Sequence, residues 1–155
     1  MFIRSLFPLC DSFDPNIRAG VGLALGIAVS GSAFTESAAR LLMHLQEDII
    51  GYVRQTACIG LGFTYMLRGE DDYKYLEITE KLRKILVQKN AEKITKFGAQ
   101  LGLGIMNAGG RNMSLRLFAD QKTPRLSAIA GLSLFTQYWY WHAYSLFLAF
   151  ALHPT

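Results

Sequence analysis

The side chains best suited to metal binding or catalysis are few and widely spaced in this sequence. The histidines are His44, His142 and His153, and the cysteines are Cys10 and Cys58. A structural zinc site collects about four such ligands, usually in pairs separated by a few residues. None of the three histidines belongs to such a pattern, so the sequence predicts no metal site. We interpret the histidines as ordinary core or surface residues.

Other catalytic patterns are also missing. Asp71 and Asp72 are adjacent carboxylates, but they fall in a predicted loop, where solvent exposure is expected rather than acid–base catalysis. No serine is framed by the sharp turn of a nucleophile elbow. The run Gly20–Gly26 resembles a dinucleotide-binding loop, yet Leu25 stands where the third glycine belongs and no strand precedes the run. The sequence therefore predicts a protein that is not an enzyme and that needs no cofactor.

Composition and charge favour a packed helical protein. The chain is 51% hydrophobic and only 18% charged, which is far from the balance of a disordered chain. Its net charge of +4 is small, and acidic and basic residues alternate between Glu70 and Lys96, as on a solvated helix face rather than a nucleic-acid surface. No secretory signal precedes the cysteines, so they are expected to be buried thiols in a reducing compartment.

Three similar segments organise the first two thirds of the chain. They read RAGVGLALGI, RQTACIGLGF and KFGAQLGLGI, and they begin at Arg18, Arg54 and Lys96, which are 36 and 42 residues apart. Repetition at this period is typical of helical solenoids, in which each helix pair must stack on its neighbours to bury its apolar face. The sequence predicts an all-α superhelix with these segments inside helices that lie side by side.

The glycines of these segments carry a cost that packing must offset. Each glycine inside a helix costs about 0.5 to 1 kcal/mol relative to alanine. Close approach of neighbouring backbones supplies a compensating gain, because removed side chains allow dispersion contacts along a long seam. We expect helices over Arg18–Val29, Arg54–Leu67 and Lys96–Asn107. The repeat positions expected at their contacts are Gly26, Gly62 and Gly104, together with Leu25, Leu61 and Leu103.

Amphipathic outer helices are expected between the copies. Thr35 can begin one of them, and a second is predicted from about Tyr73 to Gln88. The inward positions of the second are Leu76, Leu82, Ile85 and Leu86, and its expected ion pairs are Glu77–Lys81 and Glu80–Lys84. The glycines expected at helix ends, with positive φ, are Gly31, Gly69, Gly109 and Gly110. Residues 1–110 are thus predicted to hold three repeats, the first preceded by the end of another.

The periodicity changes in residues 111–155. Asn112–Phe118 alternates apolar and polar residues, which predicts a short extended segment. Leu126–Leu152 contains no charged residue and is long enough for a membrane span, so a small membrane protein anchored here is one alternative. Because Gln137 and His142 lie near the middle of this stretch, we favour an aromatic-rich hairpin of two buried helices, broken near Trp141.

Several motifs make the pattern more specific. They are YVRQ at Tyr52–Gln55, KFGA at Lys96–Ala99, GIMNAGGRN at Gly104–Asn112, FTQYWYW at Phe135–Trp141 and HPT at His153–Thr155. With these motifs, the chain resembles the proteasome/cyclosome repeat family. The similarity extends over nearly the whole chain and corresponds to the carboxy-terminal part of the repeat toroid in a scaffold subunit of the proteasome regulatory particle.

The resemblance implies a non-catalytic helical scaffold that acts through protein–protein contacts in ubiquitin-dependent protein degradation. It implies other regulatory-particle subunits as partners, in the ATPase ring and the lid, and a location in cytoplasm and nucleus. No match to the family's carboxy-terminal extension is present, so recruitment of a ubiquitin receptor is not expected. A repeat scaffold of the anaphase-promoting complex is the other alternative. The partner contacts are not identified, and self-association is expected of the isolated piece.

Overall fold

The computed structural model describes residues 2–30, 35–69, 71–120 and 122–155. It confirms the predicted fold class, because the chain is an all-α helical-repeat solenoid with little strand. The chain divides into two compact units, Met1–Arg111 and Asn112–Thr155.

The helices of the first unit follow in sequence with short connections. They are α1 (Phe2–Leu6), a 3-10 helix (Phe7–Asp11), α2 (Pro15–Val29), α3 (Thr35–Gln46), α4 (Gly51–Thr64), α5 (Tyr73–Val87), α6 (Lys93–Met106) and a 3-10 turn (Ala108–Arg111). The predicted glycine-rich helices are therefore confirmed as α2, α4 and α6. The second ends three residues before the predicted Leu67, and the third ends one residue before Asn107.

Helices α2, α4 and α6 lie side by side with α4 in the middle, and we call this set the inner row. Helix α3 packs against α2 and α4, while α5 packs against α6. Within the inner row α4 is buried over most of its length. Because α4 lies between α2 and α6, most of its side chains are apolar or small.

Local sequence sets where several helices begin. The Asp14 carboxylate accepts a hydrogen bond of 2.8 Å from the backbone N–H of Asn16, and Pro15 occupies the first turn of α2. The Asp72 carboxylate accepts one of 2.9 Å from the N–H of Lys74 at the start of α5. These caps satisfy backbone donors that have no partner inside the helix.

The turns agree with the sequence only in part. Gly109 and Gly110 have φ of 58° and 68°, as expected. Gly69 was expected to do the same, but Leu67 carries the positive φ of 63° between α4 and α5. The chain therefore turns two residues earlier than the glycine, closer to the end of α4. The expected turn at Gly31 lies outside the described residues.

The outer helix α5 differs from its prediction at two points. Leu76 was expected to face inward, but it is 48% exposed, and Tyr75 is buried instead. The Glu77–Lys81 pair is present at 3.5 Å. The Glu80 carboxylate, however, contacts Arg83 at 3.0 Å rather than Lys84. The longer, forked arginine side chain can reach back three residues along the helix.

The second unit is small and only partly helical. Strands β1 (Met113–Leu115) and β2 (Leu152–Pro154) pair in antiparallel fashion, with Ser114 opposite His153. Between them lie α7 (Leu126–Tyr138), α8 (His142–Ser145) and a 3-10 helix (Leu146–Phe150). The extended segment was predicted, but its partner at the end of the chain was not. A strand of three residues has too little periodicity to be recognised.

The stretch Leu126–Leu152 breaks where the sequence suggested, just before His142. After the break, the second arm consists of the short α8 and the 3-10 helix Leu146–Phe150, which packs against α7, and Trp141 at the break is 57% exposed. As for the membrane alternative, no helix in the described part of the chain is long and apolar enough to span a bilayer.

Candidate functional site

The most specific feature of the first unit is the seam between α2 and α4. A Cβ atom added to Gly26 would lie 2.5 Å from both the Cα and the carbonyl oxygen of Gly60. Real Cβ atoms do not approach backbone this closely, so the two helices could not remain in place with alanine at this position. The backbones touch here because both positions are glycine.

The seam between α4 and α6 repeats this arrangement one copy later. A Cβ atom added to Gly62 would lie 2.6 Å from the carbonyl oxygen and 2.7 Å from the Cα of Gly102. We call the side of a helix that holds Gly26 or Gly62, toward the next helix of the inner row, its leading face. We call the side that holds Gly60 or Gly102, toward the previous helix, its trailing face. Residues two apart point to nearly opposite sides of a helix, so each copy of the motif serves both faces.

The leucines between these glycines fill the layer beneath the seams. Leu25 and Leu61 are buried in the same hydrophobic cluster as Cys58 and Leu82, and Leu103 packs against that cluster while remaining partly exposed. Leu25 and Leu61 therefore face the core, while the glycines beside them, Gly26, Gly60 and Gly62, face the neighbouring helices.

Gly104 departs from the expectation drawn from its copies. It is exposed, and a Cβ atom built on it would meet no described atom within 4 Å outside its own helix. The expectation of an equivalent buried contact at Gly104 is therefore wrong. The reason is positional: Gly104 is on the leading face of α6, and α6 is the last helix of the inner row.

A second repeated feature links the starts of the inner-row helices. Arg18 Nε donates to the Asp48 carboxylate at 2.6 Å, and its Nη1 donates to the carbonyl oxygens of Ser12 and Phe13. These carbonyls lie six and five residues before Arg18. The Arg18 guanidinium thus connects the loop before α2 with the loop before α4.

Arg54 does the same one copy later. Its Nη1 donates to the carbonyl oxygens of Asp48 and Ile49, again six and five residues earlier, at 2.6 and 2.8 Å. Its Nη2 contacts the Glu92 carboxylate at 3.1 Å, just before the start of α6. We call the Arg18 and Arg54 arrangements the arginine clamps. The sequence showed that each copy begins with a cation, but the partners lie about 30 to 40 residues away, so spacing alone could not identify them.

The first clamp is the more enclosed of the two. The Arg18 and Asp48 side chains are only 17% and 11% exposed. The hydrogen bond from Arg18 lowers the pKa of the Asp48 carboxyl below its ordinary value, and the backbone N–H of Ile50 acts in the same direction. The same hydrogen bond raises the pKa of Arg18. Both groups are held in their charged forms at neutral pH.

The residues considered for chemistry have structural roles or remain apart. Cys10 and Cys58 are free and buried, and burial raises the pKa of the Cys58 thiol to about 12, which leaves it unreactive. Asp72 caps α5, while Asp71 is exposed. In the described ranges, no group of three or more histidine, cysteine, aspartate or glutamate side chains could hold a metal ion.

An open cavity of about 340 Å³ in the first unit is lined by both acidic and basic groups, among them Arg54 and Glu92. These two side chains are already joined in the second arginine clamp. Nothing in this arrangement resembles a nucleophile with a base, so the cavity offers no evident chemistry.

The second unit carries a ladder of aromatic rings. Tyr138, Trp141, Tyr144, Phe147 and Phe150 follow at intervals of three residues, with successive ring centroids 6.3, 5.7, 5.8 and 5.9 Å apart. Several of these rings are partly exposed. Sequence analysis recognised the aromatic run but not this series of ring contacts, of which only the Tyr144–Phe147 pair is stacked.

No protein-family model matches the chain, whereas comparison with curated proteins gives consistent matches. The chain is 36% identical over 148 residues to 26S proteasome non-ATPase regulatory subunit 1 homolog B of Arabidopsis thaliana, covering 95% of this chain and 15% of that protein. It is 36% identical over 149 residues to 26S proteasome regulatory subunit RPN2 of Saccharomyces cerevisiae, covering 95% and 16%. The corresponding Drosophila melanogaster subunit is 33% identical over 148 residues, covering 95% and 14%.

The chain is homologous to a segment of proteasome non-ATPase regulatory subunit 1. This confirms the resemblance inferred from the repeated segments and the aromatic run. The chain spans only about 15% of the length of the regulatory subunit 1 proteins it matches. Their names describe them as regulatory and non-ATPase subunits of the 26S proteasome.

Proposed function

We propose that this chain is a non-catalytic scaffold element of the 26S proteasome regulatory particle, supporting ubiquitin-dependent protein degradation through protein–protein contacts. The observation that carries the proposal is the similarity to regulatory subunit 1, which extends over 95% of the chain. The inner row, closed by glycine seams and arginine clamps, gives the rigid body that such a role requires.

The partners that we propose are other regulatory-particle subunits, in the ATPase ring and in the lid, and the proposed location is cytoplasm and nucleus. Residues 1–110 are proposed to act as three stacked repeats, and residues 111–155 as a separate aromatic-rich element. The exposed rings of the second unit are suited to protein contact, because tyrosine and tryptophan combine a large apolar area with a polar atom.

Affinity purification of the tagged full chain from its own cells, followed by mass spectrometry, tests this proposal. We expect regulatory-particle subunits to be enriched with the wild-type chain. A matched control is Gly62→Leu, which should disrupt the seam between α4 and α6 and reduce that enrichment. Enrichment of a different assembly, or of no proteasome subunit by a folded wild-type chain, would contradict the proposal.

A further inference from the structure

Two large apolar side chains extend into solvent from the loops before α2 and α4. Phe13 is 101% exposed and Ile49 is 91% exposed, more than any other large apolar side chain in the described part of the chain. The two positions are equivalent, because Phe13 lies five residues before Arg18 and Ile49 lies five residues before Arg54. Single exposed apolar residues are common on protein surfaces, but full exposure at the same position of two copies is a repeated feature.

The arginine clamps hold both of these loops in place. Arg18 donates to the carbonyl oxygen of Phe13 at 3.2 Å, and Arg54 donates to that of Ile49 at 2.8 Å. The carbonyl oxygen of the residue before each of them is bound by the same guanidinium. The loops therefore present side chains rather than free backbone acceptors, and little ordering is needed when a partner binds them.

The exposure of Ile49 does not come from a missing neighbour in the inner row. Helix α4 has α2 on one side and α6 on the other, and Ile49 lies in the loop just before α4. Repeats stack sideways along the row, whereas this loop lies at the edge where the helices of the row begin. A further repeat would therefore lengthen this edge without covering Ile49.

A carboxylate accompanies each of the two apolar side chains. Asp11 lies two residues before Phe13, Glu47 lies two residues before Ile49, and both acidic residues are exposed. The Asp11 carboxylate contacts the exposed His44 ring at 3.4 Å. We call Asp11, Phe13, Glu47 and Ile49 the start-edge surface.

The third copy reverses this pattern. Lys89 and Ala91 occupy the positions equivalent to the acidic and the apolar residue, and Lys93 is also exposed at the start of α6. The acidic and apolar character of the edge is therefore confined to the first two copies. The reversal in the third copy shows that the repeat fold itself requires neither the carboxylate nor the large apolar side chain.

We propose that the start-edge surface binds a basic amphipathic helix of another protein, with apolar residues seven positions apart and lysine or arginine beside them. The inference rests on the proposed scaffold function and describes one of its partners by chemistry. Packed helices have axes about 8 to 10 Å apart, so equivalent loop residues are separated by a similar distance. Seven residues of an α-helix rise about 10 Å, which brings one apolar side chain of the partner to Phe13 and the next to Ile49.

Charge and backbone contacts determine this choice of partner. Lysine or arginine on the bound helix pairs with Asp11 and Glu47, whereas Lys89 repels it and confines binding to the first two copies. A partner strand does not fit, because strand addition needs free backbone groups and the clamps already occupy the carbonyl oxygens of both loops.

Fluorescence anisotropy of the full chain with a labelled helical peptide of alanine, lysine and leucine, its leucines seven residues apart, tests the chemistry of the surface. Ile49→Ala should weaken binding about ten-fold through lost apolar contact. Glu47→Lys, which copies the third repeat, should weaken it about five-fold. Asp71→Lys makes the same charge change at an exposed loop on the opposite edge and should leave binding unchanged.

A peptide with glutamate in place of lysine serves as the second control and should not bind. Absence of binding between the wild-type chain and the basic peptide would overturn the proposal. Equal binding of the acidic peptide, or binding unaffected by Ile49→Ala, would also overturn it.

Photo-crosslinking in cells then tests the partner itself. A photoreactive phenylalanine derivative replaces Phe13 or Ile49 in the full chain, and Leu76, which is 48% exposed at the start of α5, is the control position. Cross-links from the first two positions should fall about seven residues apart in one lysine- or arginine-rich helix of another protein, which the control does not reach.

The outcomes separate this inference from the proposed function. A helix of this chemistry in a protein outside the proteasome would support the surface and contradict the proposed function. Cross-links to a second copy, to another segment of the same polypeptide or to an acidic segment, or no cross-link from either position, would overturn the inference and leave the proposed function standing.

Discussion

At the residue scale, glycines at the same repeat position have different surroundings in different copies. Gly62 lies against the backbone of Gly102, whereas Gly104 faces open space. The cost of glycine in a helix is the same at both positions, so the difference between them comes from packing alone.

This difference can be measured with a matched pair of substitutions. Gly62→Ala should lower the free energy of unfolding by about 1 to 3 kcal/mol, because its Cβ atom forces α4 and α6 apart. Gly104→Ala should raise it by about 0.5 to 1 kcal/mol through helix propensity. Urea denaturation followed by circular dichroism measures both. Equal effects of the two variants would contradict the assignment of Gly62 to a seam.

The ionised Asp48 carboxylate should contribute stability that depends on pH. Its pKa is lowered below the ordinary value of 3.8, so the contribution is fully present above about pH 4 and is lost as pH falls through the lower folded value. At pH 7, Asp48→Asn should cost about 2 kcal/mol, since a charged hydrogen-bond partner is removed while an oxygen remains for the N–H of Ile50.

Denaturation of the wild type and Asp48→Asn at about pH 7 and at about pH 3 measures this contribution, with Asp71→Asn as an exposed control. The difference between the wild type and Asp48→Asn should shrink in acid, while Asp71→Asn should match the wild type at both values. A difference that stays constant with pH would show that the ion pair does not stabilise the fold.

At the element scale, the sequence could predict which segments become helices. It could not predict, for every helix, which face is buried and which is exposed. Repetition and glycine content identified α2, α4 and α6, because a costly glycine pattern that repeats in phase indicates close packing of successive helices. It could not show that Gly104 is exposed, since that depends on how many helices follow in the row. The clamp partners Asp48 and Glu92 were missed because they are distant in sequence and lie in loops.

Helix starts were more predictable than turns. Thr35 was expected to begin a helix and is the first residue of α3. The left-handed conformation of Leu67 had no signal in the sequence, which placed the turn at Gly69, two residues later. A branched side chain in that conformation is costly on its own, so surrounding packing must impose it. Such tertiary effects are absent from local patterns.

The start of α5 provides a prediction at this scale. Asp72→Ala should lower the free energy of unfolding by about 1 kcal/mol, because the N–H of Lys74 loses its acceptor. The adjacent Asp71→Ala removes an equal charge and should change it by less than about 0.5 kcal/mol. Thermal melting of both variants measures the difference. Similar losses would argue against a capping role for Asp72.

At the scale of the whole molecule, the chain has the properties of a structural element. Its most distinctive residues serve the architecture: glycines close the seams, arginines join successive helix starts, and the thiols are buried. Its exposed features include the partly exposed rings of the aromatic ladder. Surfaces of this kind suit contact with other proteins rather than a small substrate.

The most direct test of the scaffold account is a segment exchange in Saccharomyces cerevisiae. The matching segment of RPN2, which aligns over 149 residues, is replaced by the corresponding part of this chain, and assembled 26S proteasome is measured on native gels. The account predicts that the hybrid subunit enters the particle, and that a hybrid carrying Gly62→Leu does so poorly. A hybrid subunit that is folded and abundant but absent from the particle would contradict the account.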